Sequence, residues 1–446
     1  MRTLMDPTKS EVNRTGFLLD KVRKQESLRI AWIHVSERAK SSRDPKTRQA
    51  LAEFHLAPAK KIARICKDIG ANKFRFEAQK GVASPRSGGK AARPIVIAPI
   101  ANRIVQRAIL NLCQSRDMSI RSRLGRLPEV IDQATSVGGL PERGVPEAVS
   151  QISAAISAGA KWFIRSDLKN FFQHIPKALI RKFLEENVSD ADFNVFFMKA
   201  LETELENEVA LKEDLDLFPL GGIGVPQGSA LSALCSNIVL HKFDKELNGR
   251  GIVTIRYLDD FVILGPTRKS VDACWHKAVA LLDEVGLTPH PPDGTSDKAA
   301  KGEVKNGFEF LSVHFCGNKI EPSKAARNKI LETVKQQFAE SKAEILRLHD
   351  KERRAEPRFF QTLVAVDKII RGWGDAFRFS NHRLTFMQLD SKIDDELLSY
   401  RRWFGTFTKS VNPTRLRRLM GVALLADTPR AKHSELSAKP SSKANS

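Results

Sequence analysis

The chain has 446 residues, room for two or three domains, and its 41% hydrophobic and 28% charged residues exclude wholesale disorder. Lys and Arg number 73 against 52 Asp and Glu, and the formal charge of +21 is local: residues 60–126 carry a net +13, residues 400–446 a net +8, and the rest balances. Two basic regions around a neutral middle favour a polyanion, nucleic acid, held from two sides over a basic protein with no such partner.

Residues 1–10 contain no apolar h-region, so no secretory signal is expected. Residues 1–70 carry Leu, Ile and Ala at mixed helical spacing and read as helices. Residues 79–92, rich in Gly, Ser and Lys, read as a mobile loop. A short strand follows at 93–97 and a helix at 104–113. Residues 161–164 form a strand leading into Asp167. The stretch 184–217 is acidic and helical in pattern, and Gly221-Gly222 breaks it. A helix is expected from Ser229 to about Leu247. Residues 252–255 and 261–264 are β-branched and aromatic runs, which predict strands. Pro289-His290-Pro291-Pro292 predicts a loop, and 308–315 a strand. Beyond Pro322, Ile330, Val334, Phe338 and Ile345 share one helical face and no strand is predicted, which marks a boundary near residue 320 to an all-helical domain. The Ser/Lys/Ala/Pro-rich end from Asp427 predicts disorder. Cys66, Cys113, Cys235, Cys274 and Cys316 lie far apart without a Cys-x-x-Cys, which excludes the common zinc signatures, argues against a disulfide framework and fits a reducing cytoplasm. No apolar run reaches about 18 residues, so no membrane span is expected.

Four segments carry chemistry. Tyr257-Leu258-Asp259-Asp260 sets two carboxylates side by side between two strands, as the tip of a hairpin. Adjacent carboxylates repel and resist burial, and a hard divalent cation such as Mg²⁺ removes both penalties while also taking phosphate oxygens. Taken alone the string also fits a solvated turn. Asp167 ends another apolar strand; a lone Asp there is commonly a cap, but two-metal phosphoryl transfer needs carboxylates from separate strands. Asp167, Asp259 and Asp260 would form that set if their strands are neighbours. Gly224-Val225-Pro226-Gln227-Gly228-Ser229-Ala230-Leu231-Ser232 is a tight turn running into a helix capped by Ser229, with Gln227 held out to contact a nucleotide; by itself it is an ordinary loop-to-helix junction. Arg93-Pro94-Ile95-Val96-Ile97, followed by Arg103 and Arg107, places an Arg on a basic strand, suited either to clamping a triphosphate or to a surface salt bridge.

In this order the four segments resemble the reverse transcriptase family. The stretch at Asp167 is similar to its motif A, 224–232 to motif B, 257–260 to motif C, and 93–107 to the fingers segment before them. Gly286-Leu287 with Asp297-Lys298 resembles motif D, with Lys301 a rival for the lysine. Phe310-Leu311-Ser312 resembles motif E, with Ser where Gly is usual. Arg371-Gly372-Trp373-Gly374-Asp375-Ala376-Phe377, then Phe386, Leu389-Asp390 and Trp403, resemble the helical thumb of group II intron enzymes. Thr135-Ser136-Val137-Gly138-Gly139-Leu140-Pro141 and Gly144-Val145 resemble bacterial members of that lineage. The chain departs from intron enzymes at Ala233, where they carry Pro, and shows no His/Cys nuclease pattern; it also lacks the Val-Thr-Gly of retron enzymes. What remains is similar to the stand-alone bacterial reverse transcriptases linked to phage defence.

The resemblance implies an α+β, right-hand polymerase fold of fingers and palm with an all-helical thumb. It implies an N-terminal helical extension at 1–70, fingers and palm at 71–320, a thumb at 321–426 and a disordered basic tail at 427–446. It implies an RNA-directed DNA polymerase, a nucleotidyltransferase making cDNA from dNTPs with two Mg²⁺ ions, Mn²⁺ being a substitute. Asp167 and Asp259 would bind the metals with the carbonyl of Leu168, and Asp260 would support the site. Arg93 would hold phosphates, Gln227 the incoming nucleotide, and Lys298 would protonate pyrophosphate. Phe172, five residues after Asp167, would exclude a ribose 2′-OH, or else be a core aromatic beside Phe171. Arg103, Arg107, Tyr257, Arg415, Arg417 and Arg418 would contact nucleic acid. The expected partners are a template RNA, a structured non-coding RNA in the defence reading, and the DNA product, with no membrane, a cytoplasmic location and the oligomeric state open. The competing readings are a group II intron-type reverse transcriptase that also acts as a maturase, and a catalytically idle RNA-binding scaffold. Phe172 and Leu258 disfavour a viral-type RNA polymerase.

Overall fold

The computed structural model describes residues 16–427, apart from 43, 87–91, 351–358, 421 and 423. The fold is mixed α+β, and the chain divides into two compact units, Met1–Leu311 and Ser312–Ser446.

In the first unit, the helices Phe17–Val22, Gln25–Lys40, Pro45–His55 and Pro58–Gly70 open the described chain. Two of them begin with Pro, whose fixed φ suits a first helical position, and Asp44 caps one by accepting from Thr47 N at 2.8 Å. Leu28, Ala31, Trp32 and Val35 recur at helical spacing and are buried, and their helix packs along Ile100–Cys113. The N-terminal helices therefore share one hydrophobic core with the rest of the unit.

The loop expected at 79–92 is in part a strand. Lys80–Ser84 (β1) pairs antiparallel with Arg93–Ile97 (β2), from Lys80 opposite Ile97 to Ser84 opposite Arg93. Gly81, which signalled a loop, is a close-packing glycine: a Cβ there would stand 2.7 Å from Leu211. Residues 87–91 lie outside the described residues.

The central sheet holds Trp162–Asp167 (β3), Val253–Tyr257 (β4), Asp260–Gly265 (β5) and Ala300–Glu303 (β6) in the order β4-β5-β3-β6. Every pairing is antiparallel. The helices Val145–Ser157 and Arg268–Asp283 pack against it, and Phe261, Val262, Ile263 and Leu264 are fully buried. The acidic stretch 184–217 is broken into Lys177–Asn187, Ala191–Ala200, Glu208–Leu211 and a 3₁₀ turn at Lys212–Leu217. Buried Asp190 causes the first break. Its carboxylate accepts from Phe193 N, Gly16 N and Leu18 N at 3.0, 3.1 and 2.6 Å, capping two helices at once. The helix expected from Ser229 to Leu247 is two helices, Ser232–Val239 and His241–Glu246. The strand expected at 308–315 is also two, Phe308–Phe310 (β7) and Val313–Cys316 (β8), because Leu311 and Ser312 both adopt positive φ, 50° and 65°.

In the second unit, β8 forms an antiparallel hairpin with Lys319–Pro322 (β9). Every element described after it is helical: Lys324–Asp350, Phe359–Ala376, Arg383–Phe407 and Pro413–Leu419, with short 3₁₀ turns. Ile330, Val334, Phe338, Val366, Leu389, Ile393 and Tyr400 form the core, packed by Trp373 and Trp403. The Tyr400 ring stacks on Phe338 and Phe359. Its hydroxyl meets Ser341 Oγ at 2.7 Å, and Thr362 Oγ1 donates to the same Ser341 oxygen. The tail expected to be disordered, beyond Asp427, lies outside the described residues. No described helix is long and apolar enough to cross a membrane.

Candidate active site

The strands of the two carboxylate segments are neighbours. β3 pairs β5 with Asp167 directly opposite Asp260, and β4 pairs β5 with Tyr257 opposite Asp260, so Leu258 and Asp259 form a two-residue turn. Leu258 takes φ 58°, a left-handed conformation that disfavours an L side chain. Three contacts hold the turn there. Arg256 Nη1 donates to the Leu258 carbonyl at 2.9 Å. Leu168 N donates to the Asp259 carbonyl at 3.1 Å. Gly138 passes so close that a Cβ would stand 2.5 Å from Leu258 N. Gly139, at φ 71°, leaves no room for a Cβ against Ala233. Gly138 is thus needed for backbone approach to the carboxylate turn, and Gly139 for close packing on Ala233.

Asp167 is gripped from its other side. The segment Thr288-Pro289-His290, which leads into the loop expected at 289–292, runs antiparallel to it: Lys169 N donates to the Thr288 carbonyl and His290 N to the Asp167 carbonyl, both at 2.9 Å. Ser166 Oγ donates to the His290 carbonyl at 2.8 Å. Leu168 is buried between these contacts.

Crowding sets the electrostatics. Burial, then the charges of Asp259 and Asp167, push the Asp260 carboxyl up to about 7. Burial, then Asp167, raises Asp259 as well. Lys298 opposes them with its ammonium on Asp167 Oδ2. Arg165 Nη2 donates to the Asp297 carbonyl at 2.9 Å and so holds the loop carrying Lys298. Lys301, the rival lysine, is exposed on β6 opposite Ile164. Asp167 Oδ1 is buried without a hydrogen-bond partner. Among the described residues no three His, Cys, Asp or Glu side chains close into a finished metal cage. Mg²⁺ does not require one: it takes one or two carboxylates and completes its shell with phosphate oxygens and water. Mutually repelling carboxylates and an orphaned carboxylate oxygen fit such an ion.

A cavity of about 480 Å³ opens on this cluster. Asp167, Leu168, Asp259, Asp260 and Lys298 line it together with Arg86, Arg93, Phe172 and Gln227. Gln227 is brought there by its backbone, whose carbonyl accepts from Val96 N at 2.8 Å. The neighbouring Gly228, at φ 125°, approaches so closely that a Cβ would stand 2.4 Å from the Val96 carbonyl oxygen. The 224–232 loop is thereby stitched to the strand of Arg93. Phe172 is half-buried, and its carbonyl accepts from Val225 N at 2.7 Å. Ser229 is not the helix cap the sequence suggested. Its Oγ accepts from Leu231 N inside the turn, and Ser232, the first helical residue, closes the loop by donating to the Pro226 carbonyl.

Other expected residues stand elsewhere. Arg103 is half-buried and donates to the Ala98 carbonyl at 2.6 Å, with burial lowering its pKa. Arg107 lines a separate cavity with His34 and Glu37. Tyr257 is half-buried beside Asp260 but does not line the carboxylate cavity. Arg415, Arg417 and Arg418 lie on Pro413–Leu419 in the second unit, where Arg417 is exposed and the other two are half-buried.

Two residues escaped the sequence reading. Arg86 was hidden in a Gly/Ser/Lys-rich stretch. Arg256 carried a signal that went unused: a charge inside an otherwise apolar strand requires a buried partner.

Residues 84–292 match the family model described as Reverse transcriptase (RNA-dependent DNA polymerase). The match to a reverse transcriptase domain indicates an enzyme of the RNA-directed DNA polymerase class. The chain is 26% identical to Protein YkfC of Escherichia coli K12 over 294 residues, spanning 57% of this chain and 70% of YkfC. It is 24% identical to the Group II intron-encoded protein LtrA of Lactococcus lactis subsp. cremoris over 186 residues, 42% of this chain but only 28% of LtrA. Among solved structures, apo telomerase from Candida tropicalis aligns at a TM-score of 0.34 and 12% identity, covering 56% of this chain and 55% of that one.

Proposed function

We propose that the chain copies RNA into DNA, taking dNTPs and extending a primer within a right-hand arrangement of fingers, palm and thumb. The observation that carries the reading is the register that sets Asp167 against Asp260, with Asp259 in the adjoining turn, at the floor of a cavity that also holds Arg86, Arg93, Phe172 and Gln227. Asp167 and Asp259, with the Leu168 carbonyl, would hold two Mg²⁺ ions, and Asp260 would support them. Ions held there would supply the charge that lowers the pKa of a primer 3′-OH and offsets that of a pyrophosphate leaving group. Arg86 and Arg93 bind the triphosphate. Gln227 orients the nucleotide, and Phe172 stands where a ribose 2′-OH would fall. Lys298 supplies a proton to the departing pyrophosphate. The finer assignment is a bacterial, cytoplasmic enzyme of phage defence working on a dedicated non-coding RNA. The similarity to LtrA favours a second reading, an intron-type enzyme that also assists splicing. Replacing Asp259 and Asp260 together with Ala should abolish dNTP incorporation on a primed RNA while the protein still melts cooperatively. Wild-type incorporation by that variant would end the polymerase reading. Sequencing RNA and DNA copurified with the protein separates the two finer assignments.

A further inference from the structure

Arg256 lies in β4, three residues before Asp259, and is wholly buried. Each arm of its guanidinium is engaged. Nε donates to Asp244 Oδ1 at 2.6 Å, and Nη2 meets the other oxygen of the same carboxylate. Nη2 also donates to Ser136 Oγ at 2.9 Å and to Asn237 Oδ1 at 3.0 Å. Nη1 donates to the Leu258 carbonyl. The backbone repeats the linkage: Arg256 N donates to the Thr135 carbonyl and Val137 N to the Arg256 carbonyl, both at 2.9 Å. Asn237 Nδ2 closes the ring by donating to the Gly138 carbonyl at 3.1 Å.

A buried ion pair is a weak source of stability, and apolar residues of similar volume often serve as well or better. An apolar residue could not donate to the Leu258 carbonyl and so could not help hold Leu258 in its left-handed conformation. We propose that Arg256 is a positioning residue for phosphoryl transfer: it binds the 135–138 segment, the helices Ser232–Val239 and His241–Glu246, and the turn of Asp259 into one unit, and so fixes Asp259 and Asp260 against Asp167. This rests on the polymerase reading of the site. Arg256 itself touches no substrate and acts only through the turn.

The test uses the full chain as wild type, as Arg256→Lys, and as Arg256→Met combined with Asp244→Leu. Lys keeps a charge opposite Asp244 but lacks the fork that reaches Asp244 and the Leu258 carbonyl together. The double change removes both buried charges at once, the replacement a folded core tolerates best. Thermal melting, steady-state dNTP incorporation on primed RNA, and Mn²⁺ titration followed by electron paramagnetic resonance are read for each. Both variants should fold and lose about 10- to 100-fold in kcat, with KM for primer–template unchanged. Their half-saturation for Mn²⁺ should rise several-fold. Wild-type kcat and Mn²⁺ binding in either folded variant would overturn the proposal. Failure of both variants to fold would also overturn it, since Arg256 would then be a folding element. A wild type inactive on primed RNA would instead refute the polymerase reading and leave the Mn²⁺ titration to judge Arg256.

Discussion

Gly138→Ala tests how tightly the carboxylate turn is built. The added Cβ would stand 2.5 Å from Leu258 N and 2.9 Å from the Tyr257 carbonyl carbon, against an ordinary contact that begins at 3.4 Å. Both atoms are backbone, so no side chain can swing away. The 135–141 segment is tied to β4 by hydrogen bonds on either side of Ser136, so it cannot retreat freely either. The turn itself must give by about 0.9 Å, the shortfall from ordinary contact. Overpacking of this kind costs about 1–3 kcal/mol of stability. A catalytic group misplaced by about 1 Å costs on the order of 100-fold in rate. The variant should therefore remain folded, melt somewhat lower, and lose far more in kcat for dNTP incorporation than in KM for primer–template. Gly221→Ala is the control: its Cβ would meet nothing within 4 Å, and it should leave both measurements unchanged. A Gly138→Ala enzyme with wild-type melting and kcat within about twofold of wild type would refute the claimed approach of this backbone to the turn.

Phe172→Ala should raise the ratio of rNTP to dNTP incorporation by about tenfold or more, by opening space for the 2′-OH; an unchanged ratio makes Phe172 a core residue only. The pH dependence of stability follows from Asp260, whose carboxyl rises from 3.8 to about 7 in the fold. A raised pKa contributes stability that is full below pH about 4 and is lost as pH climbs through about 7. Metal-free protein should lose most of that increment by about pH 8, and Mg²⁺ should raise Tm more at about pH 8 than at about pH 5.5. Asp260→Asn should shrink the difference, and equal Mg²⁺ shifts at both pH values in the wild type would contradict the electrostatic account. Replacing Arg415, Arg417 and Arg418 with Ala should flatten the dependence of log RNA affinity on log salt by about 0.7 for each phosphate no longer neutralised. Identical slopes would remove this helix from the RNA-binding surface.

Chemistry was legible along the chain wherever it rests on adjacency. The Asp259-Asp260 pair, the strand leading into Asp167 and the turn around Gln227 declare themselves within a few residues, because side-chain alternation and turn chemistry are local properties. The helical second unit was legible for the same reason, since one apolar face repeats through Ile330, Val334 and Phe338. Local signals also misled. Gly81 looked like a loop residue, yet it is a strand residue packed on Leu211, while the Pro-rich segment at 289–292 is a loop that makes one bridge, from Pro289 to Leu168. Ser229 looked like a cap, but the loop stitched to Val96 delays the helix to Ser232.

The sequence by itself determined which groups are available: three carboxylates, an arginine on a basic strand, a glutamine on a turn and a lysine. Only the tertiary structure decided that they meet. Asp167 faces Asp260 through the register of two strands distant in the chain. Arg256 finds a hydroxyl 120 residues away, and Gly138 is required by a backbone it meets only in the fold. Such contacts depend on how the whole core packs, a sum of many weak interactions that no short window of sequence contains.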